Sequence, residues 1–447
     1  MTARLTRSDA RAAGVAARSR VPPAELGVWT ADGRPDPVAL LEEQAAGRIP
    51  ELVPVRYGRM AVSPFTFLRG AALPMAADLA RGANSGLITQ LCGDAHLANF
   101  GLFASPERDE MFDINDFDET LAGPFDFDLK RLVTSLIVAA RERGFSPHEG
   151  RAVGHRAIRS YTARMAAYAA MRAIDVYYAS VDVAAILAYV DKHAKAMIHG
   201  TVRSSAHHDA VHELPKLTAV VDGTRRLTEH PPTLVKRPDA TPPLADTVLA
   251  AYRTTLQEDR RDLLDRYVVT DYALKVVGVG SVGLGAFVVL FTGCGDDDPL
   301  FLQVKQAEAS VYERSLGPSP AASHGERVVT GQRRLQAASD ILLGWAVGEG
   351  GRHWYVRQHQ DQKATAAIGL MTLDELATWG ELCAWALARG HARAGEPAAI
   401  SEYLGQDDAF LHAIVGFAEA YADQTERDHA ALTRAIAAGR VRAEPGV

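Results

Sequence analysis

The segment LCGDAHLANFGLFASPERDEMFDINDFDETLAGPFDFDL, residues 91–129, interleaves acidic residues with large apolar side chains. Like charges held close together repel unless a positive charge lies among them, and an acidic run threaded through so many apolar residues is unlike a solvated face. A divalent metal or an Arg or Lys partner is the usual solution. We therefore expect cations among these acids, which include Asp94, Asp113, Asp116, Asp118, Glu119, Asp126 and Asp128.

The composition is that of a globular protein, with 447 residues, 47% of them hydrophobic and 23% charged, which is enough for two or more packed units. A net charge of −7 gives no general attraction to nucleic acid or anionic membranes. Cys92, Cys294 and Cys383 lie far apart, so neither a disulfide framework nor a structural zinc site is indicated. No run approaches the roughly 18 apolar residues of a membrane helix. We expect a cytoplasmic protein without nucleic-acid or membrane partners.

Hydrophobic periodicity divides the chain into four segments. Residues 1–50 are predicted to form a helical arm. Residues 51–245 combine short strands around the acidic segment with a series of helices, and end in a hairpin and a Pro-rich linker. Residues 246–365 are rich in strands, and residues 366–447 are helical. The predicted fold class is α+β.

The acidic segment carries the residue types that phosphoryl transfer from ATP requires: a carboxylate that accepts the proton of a hydroxyl, and oxygen ligands for magnesium. GDAHLANFG offers Asp94 as the base and, across one tight loop, Asn99 as a metal ligand. INDFDE offers Asp116 as the second ligand. A solvated surface or a structural calcium site is the alternative interpretation.

These two motifs resemble the catalytic and metal loops of the aminoglycoside phosphotransferase and choline kinase branch of the protein-kinase-like superfamily. The family patterns are H-G-D-x-H-x-x-N, and I-D-[FW]-x followed by G-x-x-x-x-D-L. The resemblance implies ATP and Mg²⁺ as cofactors, Asp94 and His96 as catalytic residues, and Asn99 and Asp116 as metal ligands. The matching residues are Gly93, Asp94, His96, Asn99, Asp116, Phe117, Gly123, Asp128 and Leu129.

Two further positions bear on this resemblance. It implies that Asp128 braces the catalytic loop from the start of a helix. Cys92, in contrast, departs from the pattern, because it stands where the family has its leading His.

A phosphate-binding turn is expected in GVGSVGLG, which lies between two strand-like runs, with Lys305 on the following strand. A dinucleotide-binding motif would require a helix directly after the glycines, whereas AFVVLFTG is strand-like, so a β-hairpin turn is favoured. The predicted cofactor-binding residues are Gly278, Gly280, Ser281, Gly283, Gly285 and Lys305.

A kinase lysine is held by an acid on the helix that follows its strand. We assign this role to Glu326, with Glu308 and Glu313 as alternatives. The segment WYVRQHQDQK, residues 354–363, falls where the hinge between two lobes is expected, so its backbone would meet the adenine.

The order of the motifs predicts a circularly permuted, two-lobed protein-kinase-like fold. Residues 51–245 and 366–447 would form the helical catalytic lobe, and residues 246–365 the β-rich ATP-binding lobe. Over nearly its whole length the chain also resembles a bacterial family, domain of unknown function 2252, in SPFTFLRG, GDAHLANFG, NDFDETLAGPFDFDLKRL and RVVTGQRRLQAASDILLGW. That resemblance supplies no substrate.

Candidate substrate contacts are Arg59 and Arg69, which flank SPFTF and would clamp an anionic substrate or the transferring phosphate. Structural ion pairs to nearby acids are the alternative. Asp118 is a further candidate. His208 and His212 are spaced as zinc ligands, although a polar helix end is the simpler interpretation.

The sequence leaves three functions open. The first is an ATP- and Mg²⁺-dependent phosphotransferase acting on a hydroxyl of a small molecule. The second is a nucleotidyl (AMP) transferase or protein kinase on the same fold. The third is a nucleotide-binding pseudokinase that acts as a scaffold. The acceptor and the oligomeric state have no sequence signature.

Overall fold

The computed structural model describes residues 6–190, 192–205, 210–236, 247–276, 278–295, 297–359 and 367–446. Several predicted features lie outside these residues: most of the Pro-rich linker, both boundaries of the β-rich segment, His208, and the end of the expected hinge at residues 360–363.

The N-terminal part of the chain is helical and leads into two short pairs of strands. Its helices are α1 Arg7–Arg20, α2 Pro23–Leu26, α3 Pro37–Ala45, α4 Val53–Met60, α5 Pro64–Gly70 and α6 Ala72–Leu79. The strands that follow are β1 Ile88–Leu91, β2 Phe100–Ala104, β3 Glu110–Ile114 and β4 Leu121–Pro124.

Helices, a hairpin and the strands of a larger sheet come next. They are α7 Asp126–Glu142, α8 Pro147–Ala170, α9 Ala173–Tyr178, α10 Val183–Tyr189, α11 Lys192–Ser205, α12 Ala210–Leu217, β5 Thr218–Val221, β6 Thr224–Leu227, β7 Leu234–Val235, α13 Leu249–Thr254, α14 Glu258–Leu264, β8 Val268–Lys275, β9 Ala286–Thr292 and β10 Pro299–Gln306.

The chain ends with α15 Glu313–Leu316, α16 His324–Leu335, β11 Gly344–Val347, β12 His353–Gln358, α17 Leu373–Ala394, α18 Pro397–Leu404 and α19 Ala409–Ala437. The α+β prediction is confirmed. Within the described ranges, no helix is both long and apolar enough to cross a membrane.

The strands of the acidic segment place its two loops side by side. β1 pairs antiparallel with β4 as far as Leu91 and Leu121, and β2 pairs antiparallel with β3 from Phe100 and Ile114. The loop between β1 and β2 and the loop between β3 and β4 both lie between these two strand pairs, so they face each other.

Strands β7–β12 form a six-stranded antiparallel sheet in the described chain, in the order β11-β12-β10-β9-β8-β7. Successive side chains of a strand point to opposite faces. Phe287 and Val289 of β9 pack in one apolar cluster with α13, whereas Val288 and Leu290 pack in another with α12 and β6. The sheet is therefore covered on both faces.

The helical part of the molecule is built around α17. Its residues Leu376, Trp379 and Cys383 are fully buried in the large apolar cluster that α7, α8 and α19 share. The T-x-x-E pattern at its start predicts a capping box, and this is confirmed: Thr372 N donates to Glu375 Oε2 at 2.8 Å, and Glu375 N donates to Thr372 Oγ1 at 3.3 Å. Helix α17 therefore starts where the sequence predicts.

The described part of the predicted arm, residues 6–50, packs onto the helices. Gly14 of α1 lies so close to α18 that a Cβ there would be 2.2 Å from a backbone oxygen. Farther along, Arg34 pairs with Asp78 and with Asp428, each at 2.6 Å. This segment is therefore tied to both α6 and α19.

A buried ion pair joins β3 to α17. Asp113 Oδ2 accepts a hydrogen bond from Arg389 Nη2 at 2.7 Å and from Ala337 N at 3.0 Å. Arg389 is 0% exposed, and its Nε and Nη1 have no hydrogen-bond partner in the described structure. Asp113 is thus the carboxylate that compensates the buried guanidinium.

We predict that Asp113→Asn lowers the free energy of unfolding by about 3–5 kcal/mol, because it leaves the Arg389 charge buried without an anion. Urea denaturation followed by circular dichroism measures this change. Asp175→Asn, which breaks the exposed Arg172–Asp175 pair, is the matched control and should hardly alter the midpoint. Equal effects of the two substitutions would contradict the prediction.

Candidate active site

Asp128, in the first turn of α7, fixes the loop that follows β1. Cys92 N donates to Asp128 Oδ2 at 2.8 Å, and Gly93 N donates to Oδ1 at 3.0 Å. His391 Nε2 of α17 lies 3.2 Å from Oδ2. The predicted contact of Asp128 with this loop is confirmed. Cys92 stands where the phosphotransferase pattern has its leading His, but the imidazole of His391 approaches Asp128 from α17.

Gly93 marks the closest approach of the two loops. Its φ is +85°, a value that favours glycine, and a Cβ there would lie 2.2 Å from the backbone oxygen of Glu119. No side chain fits in that space, so the first residue of the GDAHLANFG loop is held directly against the INDFDE loop.

Asp94 is held by an arginine that the sequence analysis did not single out. Arg131 Nε donates to Asp94 Oδ1 at 2.8 Å, and Asn99 Nδ2 donates to the Asp94 carbonyl oxygen at 2.7 Å. Burial raises the pKa of Asp94, although Arg131 opposes that shift. The carboxylate is therefore oriented and more basic than an exposed one.

His96 lies beside Asp94, with Nε2 3.6 Å from Asp94 Oδ2. Burial lowers the pKa of His96 well below its ordinary value, and Arg69 and Arg131 lower it further. Its Nδ1 has no hydrogen-bond partner among the described residues. The imidazole is therefore neutral at physiological pH.

The loop after β3 meets the sheet at Lys305. Lys305 Nζ donates to Asp118 Oδ2 and lies 3.9 Å from Asp116 Oδ2, while Tyr355 Oη donates to Asp118 Oδ1 at 2.7 Å. Burial favours protonation of both carboxyls. Burial raises the pKa of Asp116. At Asp118 the attraction of Lys305 and the hydrogen bonds from Lys305 and Tyr355 outweigh burial, and the pKa is lowered.

The assignment of Glu326 as the partner of Lys305 is wrong, because the structure gives that position to Asp118. Glu326 lies in the first turn of α16, where its Oε2 accepts a hydrogen bond from Ala322 N at 2.9 Å. Glu308 and Glu313 do not pair with Lys305 either: Glu308 accepts from Gln306, and Glu313 lies near Arg327 and His324.

The turn between β8 and β9 lies against helices from the N-terminal part of the chain. Arg48 Nη1 donates to Val282 O at 2.5 Å, and Arg59 Nη1 donates to Gly278 O at 2.6 Å. A Cβ at Gly280 would be 3.2 Å from the backbone oxygen of Arg69. Arg59, predicted to contact substrate, therefore supports the turn.

These loops and the glycine turn enclose a cavity of about 360 Å³. Arg59, Gly283, Gly285, Lys305 and Glu326 are not in its lining. The structure thus brings the acidic segment and the glycine turn to one cavity, with the Lys305 ammonium bonded to an acid in its wall. The predicted site residues that line it are Arg69, Asp94, His96, Asn99, Asp116, Asp118, Gly278, Gly280 and Ser281.

Several residues around this site were missed. Arg131 lies one helical turn after Asp128, a spacing that places both on one face of α7 and that the sequence shows. Tyr355 and Arg48 carry no such signal in the sequence. Arg48, for example, is 234 positions away from the residue of the glycine turn that it contacts. Glu119 also lines the cavity, and burial raises its pKa to about 7 even though Val311 N donates to it at 2.7 Å.

The donor set fits magnesium better than a closed metal site. Among the described residues, no three His, Cys, Asp or Glu side chains are arranged to hold a metal ion. Mg²⁺, however, usually takes one or two carboxylates, and waters and phosphate oxygens complete its shell. Asp116 and Asn99 both line the cavity and offer a carboxylate and an amide oxygen.

The family model described as "Uncharacterized protein conserved in bacteria (DUF2252)" matches residues 48–435. The chain belongs to the bacterial family DUF2252. The matched range contains every predicted site residue, from Arg59 to Glu326, and leaves out most of the predicted arm. No curated protein and no solved structure matches the chain.

We predict that Glu119→Gln becomes more stable relative to the wild type as the pH rises. Burial raises the pKa of Glu119 from its ordinary value of 4.5 to about 7. The stabilising effect of the buried, protonated form is therefore fully present below the unfolded pKa, is lost as the pH rises toward 7, and is gone above it. Between pH 5 and pH 8 the difference in unfolding free energy should shift by roughly 1–3 kcal/mol in favour of the variant. Urea titrations at both pH values measure it, and a pH-independent difference would contradict the prediction.

Proposed function

We propose that this protein is an ATP- and Mg²⁺-dependent phosphotransferase that acts on a hydroxyl group of a small molecule. One observation carries the proposal: Lys305, on a strand of the sheet, meets Asp116 and Asp118 beside a cavity that the glycine turn also lines. A kinase requires this convergence of a glycine turn, a strand-borne lysine and metal-binding acids.

The order of elements in the sheet supports a kinase-like interpretation. A glycine turn joins β8 and β9, Lys305 lies on the adjacent β10, and α16 separates β10 from β11 and β12. Protein kinases likewise place their lysine on the third strand, before a helix. Here the catalytic and metal loops precede the sheet in sequence, which supports the circular permutation.

Each residue then has a defined role. Asp94 would accept the proton of the attacking hydroxyl, and its raised pKa suits a general base. Arg131 would keep that carboxylate oriented. Asn99 and Asp116 would hold Mg²⁺, which when bound neutralises charge on the transferring phosphate.

One departure from kinases concerns the lysine. Kinases pair it with a glutamate of the following helix, whereas Asp118 takes that position here and α16 contributes Arg327, whose Nη2 donates to the Asp118 carbonyl oxygen at 2.8 Å. This departure is the observation that favours the alternative of a nucleotide-binding scaffold without transfer activity.

We predict that ATP with MgCl₂ raises the melting temperature more than either alone, and that Asp116→Ala abolishes the magnesium-dependent part. Asp94→Asn should keep the thermal shift but reduce ATP turnover by about 100-fold or more. Asp175→Asn is the control for both measurements. Mass spectrometry of the products separates a gain of phosphate from a gain of AMP.

The outcomes discriminate between the candidates. A thermal shift without turnover would favour the scaffold, and turnover that survives Asp94→Asn would remove Asp94 as the base. The absence of any magnesium-dependent shift in the wild type would overturn the proposal.

A further inference from the structure

Arg69, near the end of α5, lines the cavity beside Asp94. Its Nε is buried and has no hydrogen-bond partner. In the described chain no carboxylate lies within ion-pair distance of its guanidinium, although the Asp94 charge acts on it from farther away. A guanidinium that faces a cavity without an anion beside it carries a charge that the protein does not compensate.

Arg48 lines the same cavity beneath the glycine turn and is 7% exposed. One of its nitrogens donates to Val282 O, while its Nε is buried without a partner. Burial lowers the pKa of Arg48 to about 10, so it remains charged at neutral pH. No acid in the described chain forms an ion pair with it.

Most of the other charged groups that line this cavity are paired, several of them with cations outside the lining, while Glu119 and Glu308 accept hydrogen bonds from Val311 N and Gln306. Asp94 pairs with Arg131, Asp118 with Lys305, and Arg314 with Glu43 at 2.8 Å. Glu313 lies 3.6 Å from Arg327. Among the described residues that line the cavity, the arginines without an acidic partner are therefore Arg48 and Arg69. Arg48 donates to the glycine turn, and the backbone of Arg69 lies close to it at Gly280.

We propose that Arg48 and Arg69 form a subsite for a phosphate group, which their guanidinium groups would bind by charge-assisted hydrogen bonds. The phosphate belongs either to the nucleotide or to a phosphorylated acceptor. This subsite adds detail to the proposed function. If the phosphate comes from the nucleotide, the assignment rests on that function. The subsite assigns the phosphate contacts to arginines outside the kinase-like motifs, while Lys305 stays bound to Asp118.

The test uses inorganic tripolyphosphate as the probe, with affinity measured by titration calorimetry on the full chain. Arg69→Met should weaken binding at least about tenfold, because a hydrogen bond to a charged group is lost. Its melting temperature without the probe should not fall, since Arg69 has no partner to lose. Arg69→Lys should restore part of the affinity.

Arg314→Gln is the matched control, because this arginine lines the same cavity but is paired with Glu43. Its affinity for tripolyphosphate should stay near that of the wild type. Equal affinities of the wild type, Arg69→Met and Arg48→Gln would overturn the subsite. An equal loss in Arg314→Gln would also overturn it, because the attraction would then be a general effect of positive charge.

Two arms distinguish the sources of the phosphate. If a non-hydrolysable ATP analogue with Mg²⁺ displaces tripolyphosphate and itself binds more weakly to Arg69→Met, the subsite holds the nucleotide. If inorganic phosphate still binds to the analogue-saturated protein through Arg69, the subsite holds an acceptor phosphate. Arg69-dependent binding of tripolyphosphate without any effect of ATP and Mg²⁺ would support the subsite while removing the proposed function.

Discussion

Asp118 is the residue on which the assembly of the site depends. Its carboxylate accepts hydrogen bonds from Lys305 of β10 and Tyr355 of β12, and its carbonyl oxygen accepts one from Arg327 of α16. Its backbone N–H donates to Asp116 Oδ1 at 3.1 Å. Asp118 therefore joins the sheet, the helix beside it and the candidate metal ligand. Its partner Lys305 lies 187 positions farther along the sequence.

Other groups of the protein compensate most of the acidic charges in residues 91–129. Asp94, Asp113 and Asp118 each have an Arg or Lys partner, and Asp128 accepts hydrogen bonds from two backbone N–H groups and lies 3.2 Å from His391 Nε2. Asp116 differs from them, because its nearest cation is the shared Lys305 at 3.9 Å. Glu119 also forms no ion pair in the described structure and accepts a hydrogen bond from Val311 N instead. The cavity wall therefore holds two acids, Asp116 and Glu119, whose charge the protein compensates incompletely.

Local patterns made much of this molecule predictable. The strand period, the spacing inside each short loop and the capping signals indicated the α+β class and the glycine turn, whereas the contact of Asp128 with the loop after β1 was implied by the family resemblance. Partners across long sequence separations were not predictable, because several acids near Lys305 suited it equally and only the packing of sheet against loop selects Asp118 over Glu326. Arg48 escaped notice for the same reason.

Several contacts hold the glycine turn against the helices. Ile49 N donates to Gly283 O at 2.8 Å, Arg48 and Arg59 hold two other carbonyls, and Val279 packs in an apolar cluster with α3, α4, α5 and α19. The sheet cannot swing away from the helices on this side unless these contacts break together. Substitutions of the buried residues of α3 or α19 in this cluster would therefore loosen one wall of the cavity from a distance.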